Sequence, residues 1–218
     1  MIDMLRLSIV LTVIACGAAL LIAVTNMKTQ DRIASQQIAA QQEALKRIMP
    51  EGVTITERKV ALSPESDSVT YWTGCSATDT VYAFKVGSRG YSSVINYMVC
   101  TTPEGIITGM TVLDQSETPG LGSRVQETIS KKYIWNGFGG PEEKTAPWFS
   151  EQFRGISINR PVAIEKAMGE WHLLGEQQRS KLTGKNGITA ITGSTISTRA
   201  VISGLSSKAK VYLKAIRG

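Results

Sequence analysis

The sequence has a single histidine, His172, and only three cysteines, Cys16, Cys75 and Cys100, in 218 residues. One histidine cannot form a histidine-rich metal cluster. If it belonged to a Ser-His-Asp triad, no second histidine would remain to act as a base. The cysteines show no CxxC or CxxCH spacing, which argues against zinc, iron–sulfur and c-type haem ligation. Cys75 and Cys100 could pair as a disulfide on an oxidising side or stay two separate thiols. We therefore predict no metal site.

Signals for nucleotide and nucleic-acid binding are also missing. Gly184 and Lys185 do not belong to a P-loop, because the first glycine of that motif is absent and asparagine follows the lysine. The net charge is +6, but lysine and arginine are scattered and form no stripe interleaved with aromatic residues. The chain also has no dinucleotide fingerprint and no constellation of catalytic bases. We predict no catalytic residue and no nucleic-acid partner.

One long apolar run lies near the N-terminus, where residues 7–27 contain no charged side chain. As a helix rising ~1.5 Å per residue, this run spans about 30 Å, the thickness of a bilayer's hydrocarbon core. A cleaved signal peptide would end its apolar region sooner, and the faint lipoprotein-like box ending at Cys16 is followed by more apolar residues. We predict a retained transmembrane helix. Arg6 precedes it and Lys28 and Arg32 follow it, so the positive-inside rule does not support an outside domain.

The remaining sequence predicts a helical linker and one mixed domain. Residues 31–49 form a mostly polar helical pattern that Pro-Glu-Gly at 50–52 ends. Strand patterns at 92–101 and 106–113 flank a turn-forming Thr-Pro-Glu-Gly, which predicts a hairpin. The predicted fold class is α+β, an antiparallel sheet with packed helices preceded by one transmembrane helix. The predicted parts are an anchor at 1–29, a linker at 30–52 and the α+β domain at 53–218.

A hydroxyl-rich segment precedes an amphipathic helix close to the C-terminus. Residues 189–199 read Thr-Ala-Ile-Thr-Gly-Ser-Thr-Ile-Ser-Thr-Arg. Unpaired N–H groups at a helix N-terminus favour an anion, and Arg199 adds positive charge. Ser197 or Thr198 could simply cap the helix; the alternative is a phosphate site with Thr195 nearest the anion. The predicted buried stripe of the helix comprises Val201, Leu205, Ala209, Tyr212 and Ile216.

A second motif, Ser-Glu-Thr-Pro-Gly-Leu-Gly at 116–122, follows a strand-like segment. Pro119 and Gly120 fit the two central positions of a type II turn, since proline fixes φ and glycine accepts the positive φ. Gly122 then permits close approach of the backbone to whatever the loop holds. By itself this is a well-formed turn.

Together, the Glu-Thr-Pro-Gly-Leu-Gly loop and Thr192-Gly193-Ser194-Thr195 resemble the FMN-binding domain of RnfG, a subunit of the Rnf electron-transport complex. NqrC, a subunit of the sodium-pumping NADH:quinone oxidoreductase, shares that domain. The aromatic segment at 148–155 between the motifs is also similar. The resemblance implies FMN attached covalently through a phosphoester to Thr195. It implies a flavin site formed by Glu117, Thr118, Gly120, Leu121, Gly122, Thr192, Gly193 and Ser194.

Two positions depart from the family pattern. Ser194 stands where the family usually has alanine, and it offers a hydroxyl that competes with Thr195. Thr189 stands where the family usually has an aspartate that belongs to the signal read by the flavin transferase. This departure bears on the efficiency of attachment. Trp135, Trp148 and Trp171 could pack near the flavin or belong to an ordinary core.

The resemblance implies an electron-transfer subunit of a membrane-bound Rnf-type ferredoxin:NAD oxidoreductase coupled to ion translocation, active only with its partner subunits. Its partners would be the other membrane and peripheral subunits and, for maturation, the flavin transferase. The family places the flavin domain on the periplasmic or outer face of the inner cell membrane. Two alternatives remain: an NqrC-like subunit of the sodium-pumping quinone oxidoreductase, and an anchored binding module without flavin.

Overall fold

The computed structural model describes residues 2–62, 68–75, 80–129 and 147–218. It contains two compact units, Met1–Glu43 and Ala44–Gly218. Trp135 lies outside the described residues, so the prediction made for it stays a prediction.

The first helix, α1 (Ile2–Ile48), runs without a break through the predicted anchor and most of the predicted linker. By length and composition it is long and apolar enough to cross a membrane. Its last turns belong to the second unit, where Leu45 and Ile48 are buried, whereas Ile33 and Ile38 are exposed. The few apolar side chains of the linker therefore fall into two groups, and only those near its C-terminal end pack in a core.

Five consecutive strands form one antiparallel sheet in the order β1-β2-β3-β4-β5. This arrangement confirms the predicted α+β class with an antiparallel sheet. The predicted hairpin is also confirmed, because Gly105 N–H donates to the Thr102 carbonyl at 2.9 Å and Gly105 has φ 83°. The strands are β1 (Thr54–Ala61), β2 (Ser68–Cys75), β3 (Thr80–Arg89), β4 (Val94–Thr101) and β5 (Ile107–Asp114).

Side chains of β4 alternate between two apolar cores, as the two-residue period of a strand requires. Tyr97 and Val99 belong to the larger core, and Met98 and Cys100 belong to a smaller one with the end of α1. All three cysteines are free thiols. Cys75 and Cys100 lie on β2 and β4 with β3 between them, a separation too large for a disulfide. Burial raises the pKa of the Cys100 thiol to about 11.

The helices follow the sheet in the chain and cover its larger core. The buried side chains Trp148 and Trp171 belong to this core, which supports the structural interpretation of both tryptophans. A short parallel pair, β6 (Ala163–Glu165) and β7 (Gly187–Thr189), leads into the C-terminal helices. The remaining helical elements are α2 (Trp148–Glu151), α3 (Glu176–Gly184), α4 (Thr195–Gly204), a π-helical turn (Leu205–Ala209) and α5 (Lys210–Arg217), with 3₁₀ turns at Gly122–Gln126 and Trp171–Leu173.

Three members of the predicted C-terminal stripe, Val201, Leu205 and Ala209, are fully buried. Beyond them the π-helical turn changes the phase of the helix, so Leu213 is buried and Tyr212 and Ile216 are only partly buried. A π turn has more residues per turn than an α-helix, which explains why a constant 3.6-residue period misplaced the end of the stripe.

Candidate functional site

The two sequence motifs meet at one pocket of about 370 Å³. Seven of the predicted site residues line it. Gly120 and Thr192 are not among its described lining residues, although each is adjacent in the chain to one that is. The lining comprises Tyr91, Glu117, Thr118, Leu121, Gly122, Gly193, Ser194, Thr195, Ile196 and Ser197.

The loop at 116–122 adopts the predicted turn. Leu121 N–H donates to the Thr118 carbonyl at 3.1 Å, and Gly120 has φ 74°, as the third position of a type II turn requires. No described atom lies within 4 Å of a Cβ built on Gly120. Gly120 therefore shapes the turn, while its neighbour Leu121 provides the apolar surface.

The side chain of Glu117 is the centre of the site, although it is only 5% exposed. Its carboxylate accepts the backbone N–H groups of Tyr91 (3.1 Å), Ser92 and Ser93 (both 2.9 Å). It also accepts the Ser197 hydroxyl at 2.6 Å. Burial opposes ionisation, but these hydrogen bonds outweigh it and lower the pKa of Glu117. One ionised carboxylate thus joins the turn between β3 and β4, the 116–122 loop and helix α4.

Two glycines make room for that carboxylate. A Cβ on Gly122 would lie 2.5 Å from a Glu117 carboxylate oxygen and 2.6 Å from the Ser197 hydroxyl oxygen. A Cβ on Gly90 would lie 2.6 Å from the Glu117 carboxylate. Gly122 thus allows the close approach that was predicted, and the groups it approaches are Glu117 of its own loop and Ser197 of α4.

Helix α4 begins at the hydroxyl-rich motif without a side-chain cap among the described residues. The cap prediction for Ser197 and Thr198 is wrong, because both lie inside the helix and their hydroxyls bond elsewhere. Thr198 Oγ1 accepts the Ile191 N–H and donates to the Ser194 carbonyl, each at 3.2 Å. The first bond of the helix runs from Thr198 N–H to the Ser194 carbonyl. The N–H groups of residues 195–197 precede it and are available to an anion at the pocket.

The two competing hydroxyls of this motif have different surroundings. Ser194 is buried, and its hydroxyl donates to Ser197 at 2.9 Å, which in turn donates to Glu117. Thr195 is half-buried on the pocket wall, and its hydroxyl makes no side-chain hydrogen bond within the described part of the chain. Of the two residues, Thr195 is the less buried, and among the described hydrogen bonds none engages its hydroxyl. Arg199 is exposed and is absent from the described pocket lining.

A second buried glutamate fixes the start of the same motif. Glu170 accepts two hydrogen bonds from Arg124, at 2.7 and 2.8 Å, and the Thr192 N–H at 3.0 Å. Burial opposes ionisation of Glu170, but these donors lower its pKa to about 2. Arg124 also contacts Glu127 and lies 5.9 Å from the centre of the Trp148 ring. No local sequence signal identifies this cluster, because Arg124 and Glu170 are 46 residues apart.

The comparisons with known proteins agree with the motifs. The FMN-binding domain model matches residues 90–210, which include the whole pocket. The chain belongs to the FMN-binding domain family. A second model, the RnfG N-terminal region, matches residues 1–48. The resemblance to RnfG of the Rnf complex is thereby confirmed.

Relatives of similar length carry the corresponding name. The G subunit of the Na⁺-translocating ferredoxin:NAD⁺ oxidoreductase complex of Acetobacterium woodii is 26% identical, over 95% of this chain and 90% of the relative. The G subunit of the ion-translocating oxidoreductase complex of Methanosarcina acetivorans is 27% identical, over 99% of this chain and 97% of the relative. Among solved structures, the C subunit of the Na⁺-translocating NADH-quinone reductase of Parabacteroides distasonis gives a TM-score of 0.49 at 17% identity. The match covers 83% of this chain and 84% of that structure's chain.

The structure buries Thr189, the position at which the family resemblance implies an aspartate. Thr189 is fully buried at the end of β7, where its N–H and hydroxyl both donate to the side-chain amide oxygen Oε1 of Gln152, at 2.9 and 3.1 Å. The side-chain amide nitrogen Nε2 of Gln152 is buried and has no hydrogen-bond partner among the described residues. Residue 189 is therefore part of the interior in the folded domain.

Proposed function

We propose that this chain is a membrane-anchored electron-transfer subunit that carries FMN on Thr195 through a phosphoester bond. The observation that carries the proposal is the position of Thr195. It lines the pocket at the N-terminus of α4, where no described side chain caps the helix, and the competing Ser194 hydroxyl is donated to Ser197. The division proposed for the chain is an anchor at 1–29, a linker at 30–52 and the flavin domain at 53–218.

The residues present fit the two ends of an FMN molecule. The N–H groups of residues 195–197 and the partial positive charge of the helix start suit the phosphate. The exposed apolar side chains of Leu121 and Ile196, which also line the pocket, suit a flat aromatic ring. Gly193, with φ 78°, would place a Cβ 3.1 Å from Leu121, so glycine leaves room between the two motifs.

The chemistry of a bound FMN is the acceptance and release of one or two electrons, while the protein supplies position and electrostatics. In this chain Glu117 fixes the three pocket segments relative to one another, because its carboxylate accepts hydrogen bonds from the β3–β4 turn and from α4. The proposal places this electron carrier in an Rnf-type ferredoxin:NAD oxidoreductase coupled to ion translocation. The near full-length match to the G subunits of such complexes supports that assignment over the quinone-oxidoreductase subunit.

Covalent attachment is tested with the full chain co-expressed with a flavin transferase. Flavin fluorescence should remain with the protein band in a denaturing gel. Thr195→Val should abolish the band's fluorescence while preserving the fold, because valine is nearly isosteric with threonine and lacks only the hydroxyl. Ser194→Ala is the matched control and should keep the label. Peptide mass mapping that puts FMN on Ser194 or Thr192, or a dark wild-type band, would reject the assignment.

The proposed location is the outer face of the membrane. The charges on either side of the apolar run do not decide the orientation. Alkaline phosphatase fused after Gly218 should be active, since it needs an oxidising compartment, and green fluorescent protein fused at the same point should stay dark. The reverse pattern would place the flavin domain in the cytoplasm and would require a different electron path.

A further inference from the structure

Three apolar side chains with large exposed surfaces surround the pocket. Tyr91 is 70% exposed, Ile196 54% and Leu121 44%, and all three line the cavity. They come from three separate segments: the turn between β3 and β4, the 118–121 turn and the first turn of α4. Single exposed apolar residues are ordinary on protein surfaces. Three that converge on one pocket form a patch typical of a ligand site.

The backbone of Tyr91 is fixed although its ring is exposed. Its N–H donates to Glu117, and the N–H groups of the next two residues donate to the same carboxylate. Gly90 packs against that carboxylate and closes the turn with an N–H bond of 2.8 Å to the Ser93 carbonyl. Among the described aromatic pairs, none includes Tyr91. An aromatic ring without a ring partner is thus held at the pocket by a rigid turn.

We propose that Tyr91 stacks on the isoalloxazine ring, fixes its position and shifts the equilibrium between its oxidised and reduced forms. The inference rests on the proposed FMN site and names a contact that neither sequence motif contains. Tyr91 is the one aromatic side chain in the described pocket lining, and aromatic rings prefer offset or edge contacts with other rings. Its electron-rich face favours the electron-poor oxidised flavin over the reduced form. Tyr91 is therefore a positioning residue for the cofactor.

The test compares the flavinylated full chain with Tyr91→Ala and Tyr91→Phe in detergent. A stacked phenol quenches flavin fluorescence, because it gives an electron to the excited ring and then takes it back. Native fluorescence should be quenched in the wild type and should rise several-fold in Tyr91→Ala. Tyr91→Phe keeps the aromatic ring but loses the hydroxyl that makes it a good electron donor. Its flavin fluorescence should therefore rise, while its ratio of reduced to oxidised flavin at a fixed potential stays near that of the wild type. In Tyr91→Ala the ratio of reduced to oxidised flavin at a fixed potential should increase by about threefold.

The matched control is Leu173→Ala, which removes an exposed apolar side chain, 72% exposed, that is absent from the described pocket lining. It should change neither readout. Fluorescence of the unfolded proteins reports the amount of attached flavin and is independent of stacking. Equal attachment with unchanged native fluorescence and an unchanged ratio of reduced to oxidised flavin in Tyr91→Ala would overturn the contact and leave the attachment proposal intact. Absence of flavin from the unfolded wild type would overturn both.

Discussion

Two buried glutamates bind the hydroxyl-rich segment at different points, Glu170 at Thr192 and Glu117 at Ser197, and they do so by different means. Glu170, 6% exposed, binds the Thr192 N–H and is neutralised by a two-pronged contact with Arg124. Glu117, 5% exposed, binds Ser197 and three backbone N–H groups, and no cation is among its described hydrogen-bond donors. Glu170 thus forms an ion pair, whereas the Glu117 carboxylate is stabilised by the dipoles of N–H and O–H groups.

This difference separates structural support from the pocket itself. Glu170 is not among the described pocket-lining residues, so its charge can be cancelled without affecting the cofactor site directly. Glu117 lines the pocket and keeps its negative charge beside it. We infer that the ion pair mainly stabilises the fold, whereas the dipole-stabilised carboxylate both orders the pocket segments and contributes to its electrostatics.

Removing the cation should have the largest effect on stability. Arg124→Met should lower the free energy of unfolding by about 4 kcal/mol, because Glu170 would remain buried without its partner. The double variant Arg124→Met/Glu170→Gln should recover part of that loss, since no buried charge is then left unpaired. Glu117→Gln should cost less than Arg124→Met, about 2 kcal/mol, because it breaks no ion pair. Chemical unfolding of the full chain in detergent measures all four proteins.

A smaller loss of unfolding free energy for Arg124→Met than for Glu117→Gln would contradict the proposed difference between the two glutamates. The second readout is the flavin absorption spectrum of the loaded protein. Glu117→Gln should shift it, because it alters the pocket wall, and the double variant at the ion pair should leave it near that of the wild type.

Acid should remove the stabilisation from Glu170 over a defined range. Its folded-state pKa of about 2 lies below the ordinary value of 4.5, so ionisation favours the folded state. The stabilisation is complete above pH 4.5 and is lost as the pH falls towards 2. The loss should amount to about 3 kcal/mol. Glu117, whose pKa is also lowered, should add to the same acid-side loss.

Melting temperatures measured across this pH range check the effect. Glu170→Gln should give a flatter acid-side profile than the wild type. Glu151→Gln, on the exposed Glu151 of α2, is the control and should keep the wild-type slope. An unchanged slope in Glu170→Gln would contradict the assigned pKa shift.

The two loop glycines provide the smallest and most local test. Gly122→Ala should cost about 2 kcal/mol, because its Cβ would collide with both Glu117 and Ser197. Gly120→Ala is a natural comparison, with open space but a positive φ, and should cost about 1 kcal/mol. Flavin labelling should also fall more in Gly122→Ala. Equal effects of the two variants would show that the Glu117–Ser197 contact does not control the loop.

Local sequence signals predicted the parts of the site that depend on neighbouring residues. Pro119 and Gly120 specify their turn through their own φ preferences, and the turn is present. The uncharged run at 7–27 specifies a membrane-spanning length, and a helix covers it. The hydroxyl-rich motif does precede a helix, but the residue at its cap position is Ser194 and not Ser197 or Thr198. Caps depend on where the helix starts, which the periodic pattern leaves open by several residues.

The sequence by itself determined the family, the single apolar span, the antiparallel α+β class and the two motifs at the pocket. Tertiary structure decided which polar groups are buried and which face the cavity. Glu117 reaches Ser197 across 80 residues of sequence, and Arg124 reaches Glu170 across 46. No short-range pattern encodes such pairs, because their cost and benefit arise only when folding removes both groups from water. The same burial engages the Ser194 hydroxyl internally, whereas Thr195 is only half-buried at the pocket.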